Sequence, residues 1–256
     1  MFRRFSIFLL IFFLGGCATV YNPATGRKEI ILIDDNTEIN LGRNAAKELA
    51  QQEKILDDKV AQGRLNRVAA KVSSASDRPL KYEFHILDNK ELNAVSLPGG
   101  IIYVNKGLFD RLNDDQLAFV LGHEVGHVAA KHAVKKIQAN MAFQLILLAA
   151  SSAVGDNQSG AAQALNASSQ VYNLVSLGYS REDEYFADSL GVKYSKKAGY
   201  DPLAAISALE MLKVSEGSNS VKVPVYLRTH PYVDDRINRL KEIIPQMKGV
   251  TNGRAN

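Results

Sequence analysis

The chain has 256 residues, 46% of them hydrophobic and 23% charged, a balance that fits a globular protein with a sizeable core and excludes a disordered or fibrous one. Its formal charge is +4 at pH 7; removing residues 1–16 takes away Arg3 and Arg4, and 4 − 2 leaves +2. Lysines and arginines are scattered among acids with no basic stripe, so no nucleic-acid partner is expected.

The first element is a targeting segment. Arg3 and Arg4 precede an uncharged run from Phe5 to Leu14, the basic and apolar regions of a secretory signal. The run is short for a spanning helix, which takes about 20 apolar residues. Leu14-Gly15-Gly16-Cys17 resembles the lipobox of bacterial lipoproteins, in which the cysteine becomes the acylated first residue of the mature chain. Cys17 is the single cysteine, so it has no internal disulfide partner, and acylation accounts for it. An ordinary cleaved signal or an uncleaved anchor is the plainer alternative. Ala18 stands where an aspartate would mark retention in the inner membrane, which favours an outer-membrane lipoprotein facing the periplasm. The expected division is a signal peptide over 1–16, a lipidated tether over 17–35 and one domain over 36–250.

The tether holds a turn signal, Asn22-Pro23-Ala24-Thr25-Gly26. From Asn36 to Ser74 the pattern predicts an amphipathic helix, starting near Thr37-Glu38-Ile39-Asn40-Leu41 and interrupted at Gly63. Strands are predicted at Tyr82–Leu87 and Gly100–Val104. Between them, Asn93–Gly99 reads as a short extended piece, suited to a sheet edge, that ends in a turn. A helix over Asp114–Gln138 opens on a capping box of Asn113 and Gln116. Met141–Val154 reads as a buried helix, with membrane insertion as the sharper alternative, and Gly155–Gln170 as a mobile loop. Helices follow over Arg181–Lys197, from Asp201-Pro202 to about Val214, and from Asp234 to near Pro245. The sum is a predominantly helical α+β fold with a small sheet.

The chemistry concentrates in Leu121–His132, LGHEVGHVAAKH. Four residues advance a helix by about 400°, so His123 and His127 point the same way, one turn apart. Two neutral imidazoles so placed suit zinc, and Glu124 on the adjoining flank can take a proton from water. Surface histidines in a chance pentapeptide are the bland alternative, and an apolar helix disfavours it. Gly122 and Gly126 each weaken a helix by about 1 kcal/mol relative to alanine, which implies that another backbone or a substrate comes close. A hydrolytic zinc site needs a third protein ligand. A Gly and a His at three-residue steps after His127 would supply one, but Ala130 and Ala133 hold those places. His132, rotated by about 140° from His127 on a straight helix, reads as structural. On the helix predicted over Arg181–Lys197, Glu184 and Asp188 lie four apart on one face. Glu184 can coordinate while Asp188 fixes the tautomer of a ligand imidazole; Glu182 and Asp183 fit a solvated helix start.

His-Glu-x-x-His, then Ser-Arg-x-x-Glu-x-x-Ala-Asp, then Thr-His-Pro, in that order, resemble the gluzincin endopeptidases of the HtpX, BepA and LoiP group, relatives of the CAAX prenyl endopeptidase. The resemblance covers roughly Asn22 to Ile244. It implies a zincin-like fold, one zinc ion on His123, His127 and Glu184, and Glu124 as general base. It also implies that Asn93, Ala94 and Val95 form the edge strand that pairs with an extended peptide, although an ordinary core strand fits the same residues. His230 matches a histidine that either caps the metal at rest or donates to the oxyanion during turnover. Arg236 could help in the latter, with a surface salt bridge as the blander reading.

Domain 36–250 is then expected to be a zinc endopeptidase domain that cuts unfolded or misassembled envelope proteins at the membrane, where acylated Cys17 holds it. The Gly- and Ala-rich residues 155–170 suit a lid on composition alone. A long C-terminal repeat segment of the BepA type and the several spans of the HtpX type are not found, so small lipoproteins of the LoiP sort are the nearest match. The rival reading is a periplasmic chaperone or assembly factor with a closed or structural zinc site, in which His230 would be the permanent fourth ligand. An exopeptidase is a second alternative.

Overall fold

A computed structural model describes residues 19–154, 171–214 and 224–249. Cys17, the signal segment and the stretch 155–170 lie outside these described residues. The turn signal is realised in a hairpin: β1 (Thr19–Asn22) pairs antiparallel with β2 (Arg27–Ile30), Thr19 opposite Ile30. The Asn22 side chain accepts from Ala24 N at 2.9 Å, as an Asx turn does.

Two helices follow where one interrupted helix was expected. Asp34 caps α1 (Asp35–Gln52) and Asp58 caps α2 (Lys59–Ser74), each carboxylate accepting backbone N–H groups of its helix's first turn. The break therefore lies at residues 53–58 and not at Gly63, which sits inside α2. Two things fix it there, the Asp58 cap and the bridge of Ile55 to Leu87.

The main sheet has the order β3-β5-β4. β3 (Glu83–Leu87) runs parallel to the central β5 (Ile101–Asn105), and β4 (Ala94–Ser96) pairs antiparallel with β5, Ala94 opposite Val104. β4 is thus an edge strand, as its sequence predicts. After the short α3 (Lys106–Phe109), α4 (Asp114–Ala129) starts on the predicted capping box and runs buried through the core.

α4 ends sooner than its periodicity predicts. Lys131 adopts φ +58 and α5 (His132–Val154) sets off in a new direction, passing straight through the expected boundary between Gln138 and Met141. A left-handed residue other than glycine costs about 1 kcal/mol. Ion pairs of Lys131 Nζ with Asp35 Oδ1 (2.6 Å) and Glu38 Oε2 (2.7 Å) offset it, a tertiary effect that local pattern does not encode. The second half of this element also departs from expectation, since Met141–Ile146 are not buried.

The remaining described elements are α6 (Val171–Ser176), α7 (Arg181–Lys197), α8 (Ala204–Val214), α9 (Val225–Thr229) and α10 (Val233–Gly249). α10 continues past Pro245, where a helix end was expected. Its buried stripe of Ile237, Leu240 and Ile244 holds it against the core up to the proline. The architecture is the helical α+β arrangement with small sheets that was expected.

Two contacts position the site. Buried Glu38 accepts from both terminal nitrogens of Arg78 at 2.8 Å and from Gly99 N at 3.2 Å, while Arg78 also donates to Val128 O. This ties α1 to the turn after β4 and to the end of α4. The second contact is between α4 and α7. A Cβ on Gly122 would stand 2.9 Å from Gly191 O, one on Gly126 3.1 Å from Leu190 Cβ, and one on Gly191 3.0 Å from His123 N. The close approach inferred from the two helix glycines is therefore the α7 backbone.

Glycine-to-alanine substitutions at two helix sites should part in sign. Gly63→Ala meets open space and should raise stability by about 0.5 to 1 kcal/mol through helix propensity. Gly122→Ala should lower it by about 1 to 3 kcal/mol, since the α7 backbone must shift. Denaturant midpoints of the two variants check this, and shifts of the same sign would contradict the packing.

Candidate metal centre

α4 and α7 present their chemistry across this glycine contact. His123 and His127 rise from α4, Glu184 and Asp188 from α7, and all four are buried. His230 joins them from the bend after α9. The ligand-type atoms of His123, His127, Glu184 and His230 all lie within 4.8 Å of one another.

The hydrogen bonds decide which ring nitrogens face inward. Asp188 is gripped by Arg236, Nε to Oδ2 at 2.8 Å and Nη2 to Oδ1 at 2.7 Å. Burial opposes ionisation of Asp188, but Arg236 and the bond from His123 hold its carboxyl below the usual range. It is therefore an acceptor, and His123 Nδ1, 2.9 Å away, must carry the proton. That leaves the lone pair of His123 Nε2 turned inward. His127 Nδ1 lies 2.8 Å from His132 Nδ1, and His132 Nε2 stands 3.4 Å from Asp183. With the His132 proton on the side of Asp183, His127 Nδ1 donates and its Nε2 also turns inward.

The two Nε2 atoms then face each other at 2.9 Å, and Glu184 oxygens stand 3.5 Å from each. Two Nε2 atoms and a carboxylate that converge in this way need a positive charge among them, either a proton on His123 or a metal ion. The donor set, two imidazoles and a carboxylate, is that of a hydrolytic zinc site. The charges agree: although burial and then Arg236 oppose it, Asp188 and Glu184 raise the His123 pKa to about 9. The same carboxylates favour a metal cation at that nitrogen. Burial likewise opposes charge on Glu184, yet His230 and Arg236 push its pKa well below the carboxylate range.

Glu124 is fully buried, and neither of its oxygens has a hydrogen-bond partner. His230 Nε2 stands 3.4 Å from Glu124 Oε1, while its Nδ1 is 3.1 Å from Glu184 Oε1 and 3.3 Å from His123 Nε2. Asn93, Ala94 and Val95 lie at or beside the edge strand β4, and Thr229 Oγ1 reaches Asn93 Oδ1 at 3.5 Å, one residue before His230.

One reading from sequence needs correction. Arg236 is not a surface salt bridge. It is wholly buried, and its Nη1 also lies 2.9 Å from Glu184 Oε2 and donates to His230 O. Its spacing from His230 hinted at a role, but only the fold of α10 against α7 turns it inward. His132, read as structural, stands outside the group of ligand-type atoms, and its contact is with His127 Nδ1 at 2.8 Å. On a straight helix it would point away; the bend at Lys131 swings it back. Sequence offered no signal for Tyr179, stacked on His127, or Tyr226, stacked on His230, whose buried hydroxyls lack hydrogen-bond partners.

The pattern that defines peptidase family M48 matches residues 59–244, a span that contains every side chain just described. Mitochondrial metalloendopeptidase OMA1 of Schizosaccharomyces pombe is 33% identical over 188 residues, 71% of this chain and 51% of that protein. The beta-barrel assembly-enhancing protease of Escherichia coli is 26% identical over 222 residues, 82% of this chain and 44% of that protein. A putative beta-barrel assembly-enhancing protease of Vibrio cholerae is 30% identical over 177 residues, 67% of this chain and 36% of that protein. The chain thus spans about half or less of the lengths of these relatives.

The contact between His132 and His127 makes a metal-binding prediction. His132→Phe removes the acceptor and should weaken zinc binding by about 10- to 100-fold, whereas His132→Asn, which keeps an acceptor oxygen, should stay near wild type. Competition with a chromophoric chelator measures both, and equal losses would assign His132 to packing alone.

Proposed function

The chain belongs to peptidase family M48, and from that premise we propose that it is a membrane-anchored zinc endopeptidase that cuts unfolded or misassembled proteins of a bacterial envelope. The observation that carries the reading is the inward convergence of His123 Nε2, His127 Nε2 and the Glu184 carboxylate beside Glu124, whose oxygens make no hydrogen bond. Peptidases of this family use zinc. A zinc ion held by these three residues supplies a Lewis acid that polarises the scissile carbonyl and acidifies water.

The protein's own groups do the rest. Glu124 accepts a proton from the attacking water as its oxygen bonds to the carbonyl carbon, and returns it to the amine nitrogen as the C–N bond breaks. No hydrogen bond holds either oxygen of that carboxylate, so both are free to accept from water. Asp188 keeps His123 in the tautomer that offers Nε2, and Arg236 keeps Asp188 ionised and fixed. Edge strand β4 offers backbone groups on the side away from β5 to an extended chain, which suits unfolded substrates better than folded ones.

The placement of His230 supports the capping role over the oxyanion role. Its Nδ1 stands among the donor atoms, where solvent needs access, and a histidine there holds the site at rest. The same placement favours the rival, an assembly factor whose site stays closed with His230 as fourth ligand. Envelope substrates and a position among small lipoproteins of the LoiP sort rest on the Leu14–Cys17 motif, and the E. coli relative's name speaks of β-barrel assembly. On this reading residues 1–16 are a signal peptide, 17–35 a tether lipidated at Cys17 and 36–250 the protease domain, at the periplasmic face of an outer membrane.

Casein degradation separates these readings. Glu124→Gln should lose at least about a hundredfold in rate with zinc retained, and His230→Ala should cleave faster than wild type. A slower His230→Ala would make His230 an oxyanion donor, and no cleavage by either wild type or His230→Ala would favour the closed-site rival.

A further inference from the structure

We propose that the outer face of the β1–β2 hairpin and the adjoining exposed turns of α5 seat on the surface of a phospholipid bilayer. The segment after β2 alternates: Ile30 and Leu32 are 66% and 71% exposed, Ile31 and Ile33 only 8% each. In the hairpin register Tyr21 stands opposite Lys28, and Thr19 opposite Ile30. Cross-strand partners share a face, so Tyr21, Lys28 and Ile30 look out together.

This face is continuous with α5. The Gln138 amide accepts from Leu32 N at 2.6 Å and Ile33 N at 3.1 Å, and donates to Ile30 O at 3.2 Å. Gln138, Met141 and Leu145 are spaced i, i+3, i+7, one stripe along the helix. Leu145 is 62% exposed, and Phe143 and Ile146 flank it, likewise exposed. The run Met141–Ile146, MAFQLI, carries no charge. A helix apolar on all sides belongs under cover, yet none of the described residues covers this run.

Chain length says what does. The inference rests on the reading of Cys17 as acylated. Cys17 precedes Tyr21 by four residues, at most about 14 Å of extended chain, so an acyl anchor sets Tyr21 at the headgroups. An aromatic ring with a polar tip beside a lysine suits that layer, and exposed Lys28 on the same face supplies positive charge to anionic lipid. The helix would lie in the interface and not cross it; no described helix is long and apolar enough to span. Docked so, the protease would hold a fixed face toward the bilayer.

The chain has no tryptophan, so single-tryptophan variants report the contact. The mature protein carrying Ile30→Trp, Leu145→Trp or, on α2, Val60→Trp is mixed with phosphatidylethanolamine–phosphatidylglycerol vesicles whose acyl chains are brominated. All three positions are exposed, so the fold tolerates the change. Emission of Ile30→Trp and Leu145→Trp should shift blue and lose more than half its intensity, with Val60→Trp unchanged. No quenching at either patch position, or equal quenching at all three, overturns the docking. A lipid-free blue shift that grows with protein concentration also overturns it and assigns the face to a second copy. Mass spectrometry of Cys17 on the same samples tests the anchor by itself. Selective quenching without acylation keeps the docking and removes the anchor; acylation without quenching does the reverse.

Discussion

Where α4 crosses α7, the two backbones come into contact, and a methyl group on Gly122 or Gly191 would collide with the opposite chain. From that approach the site follows. Side chains one turn apart on α4 meet side chains one turn apart on α7 at lengths no longer than an imidazole or a carboxylate. With ordinary residues at the crossing the helices would separate, and Glu184 would no longer lie 3.5 Å from each histidine. The glycines cost helix propensity, and the geometry they permit is what offsets that cost in function.

Bringing these groups together in a dry interior raises an electrostatic problem that Arg236 resolves. Asp188 and Glu184 are both buried, and two carboxylates without counter-charge there would neutralise themselves. Arg236 pairs with both, bidentate to Asp188, and its planar fork leaves the syn face of Asp188 committed while His123 completes the set. Glu124 is the exception, buried without a hydrogen bond and with only His230 Nε2 near it, at 3.4 Å. A carboxylate without hydrogen bonds costs stability, and this one stands beside the converging imidazoles and Glu184, the place the proposed general base requires.

Much of this was legible in the sequence, and the limits follow from range. The pairing of His123 with His127, of Glu184 with Asp188, the capping box of Asn113 and Gln116 and the edge strand are all local: spacing and caps settle them within a few residues. The close approach at Gly122 was legible too, because glycines inside an apolar helix ask for a reason. What escaped depends on partners far along the chain. The end of α4 turns on ion pairs between Lys131 and residues about a hundred positions earlier, and that bend alone brings His132 to His127. The burial of Arg236 depends on α10 folding back over α7. The exposure of Met141–Ile146 could not be read from apolarity, since apolarity marks a need for cover without naming the cover.

The site and the outer face meet along α5, which starts beside His127 and carries the exposed Met141, Phe143, Leu145 and Ile146. The account as a whole depends on one metal ion held jointly by α4 and α7. Zinc content of the purified protein, set against that of Glu184→Ala, tests it most directly. One zinc per chain in the wild type and strong loss in Glu184→Ala is the predicted result. A metal-free folded wild type, or a variant that keeps its full zinc, would contradict it.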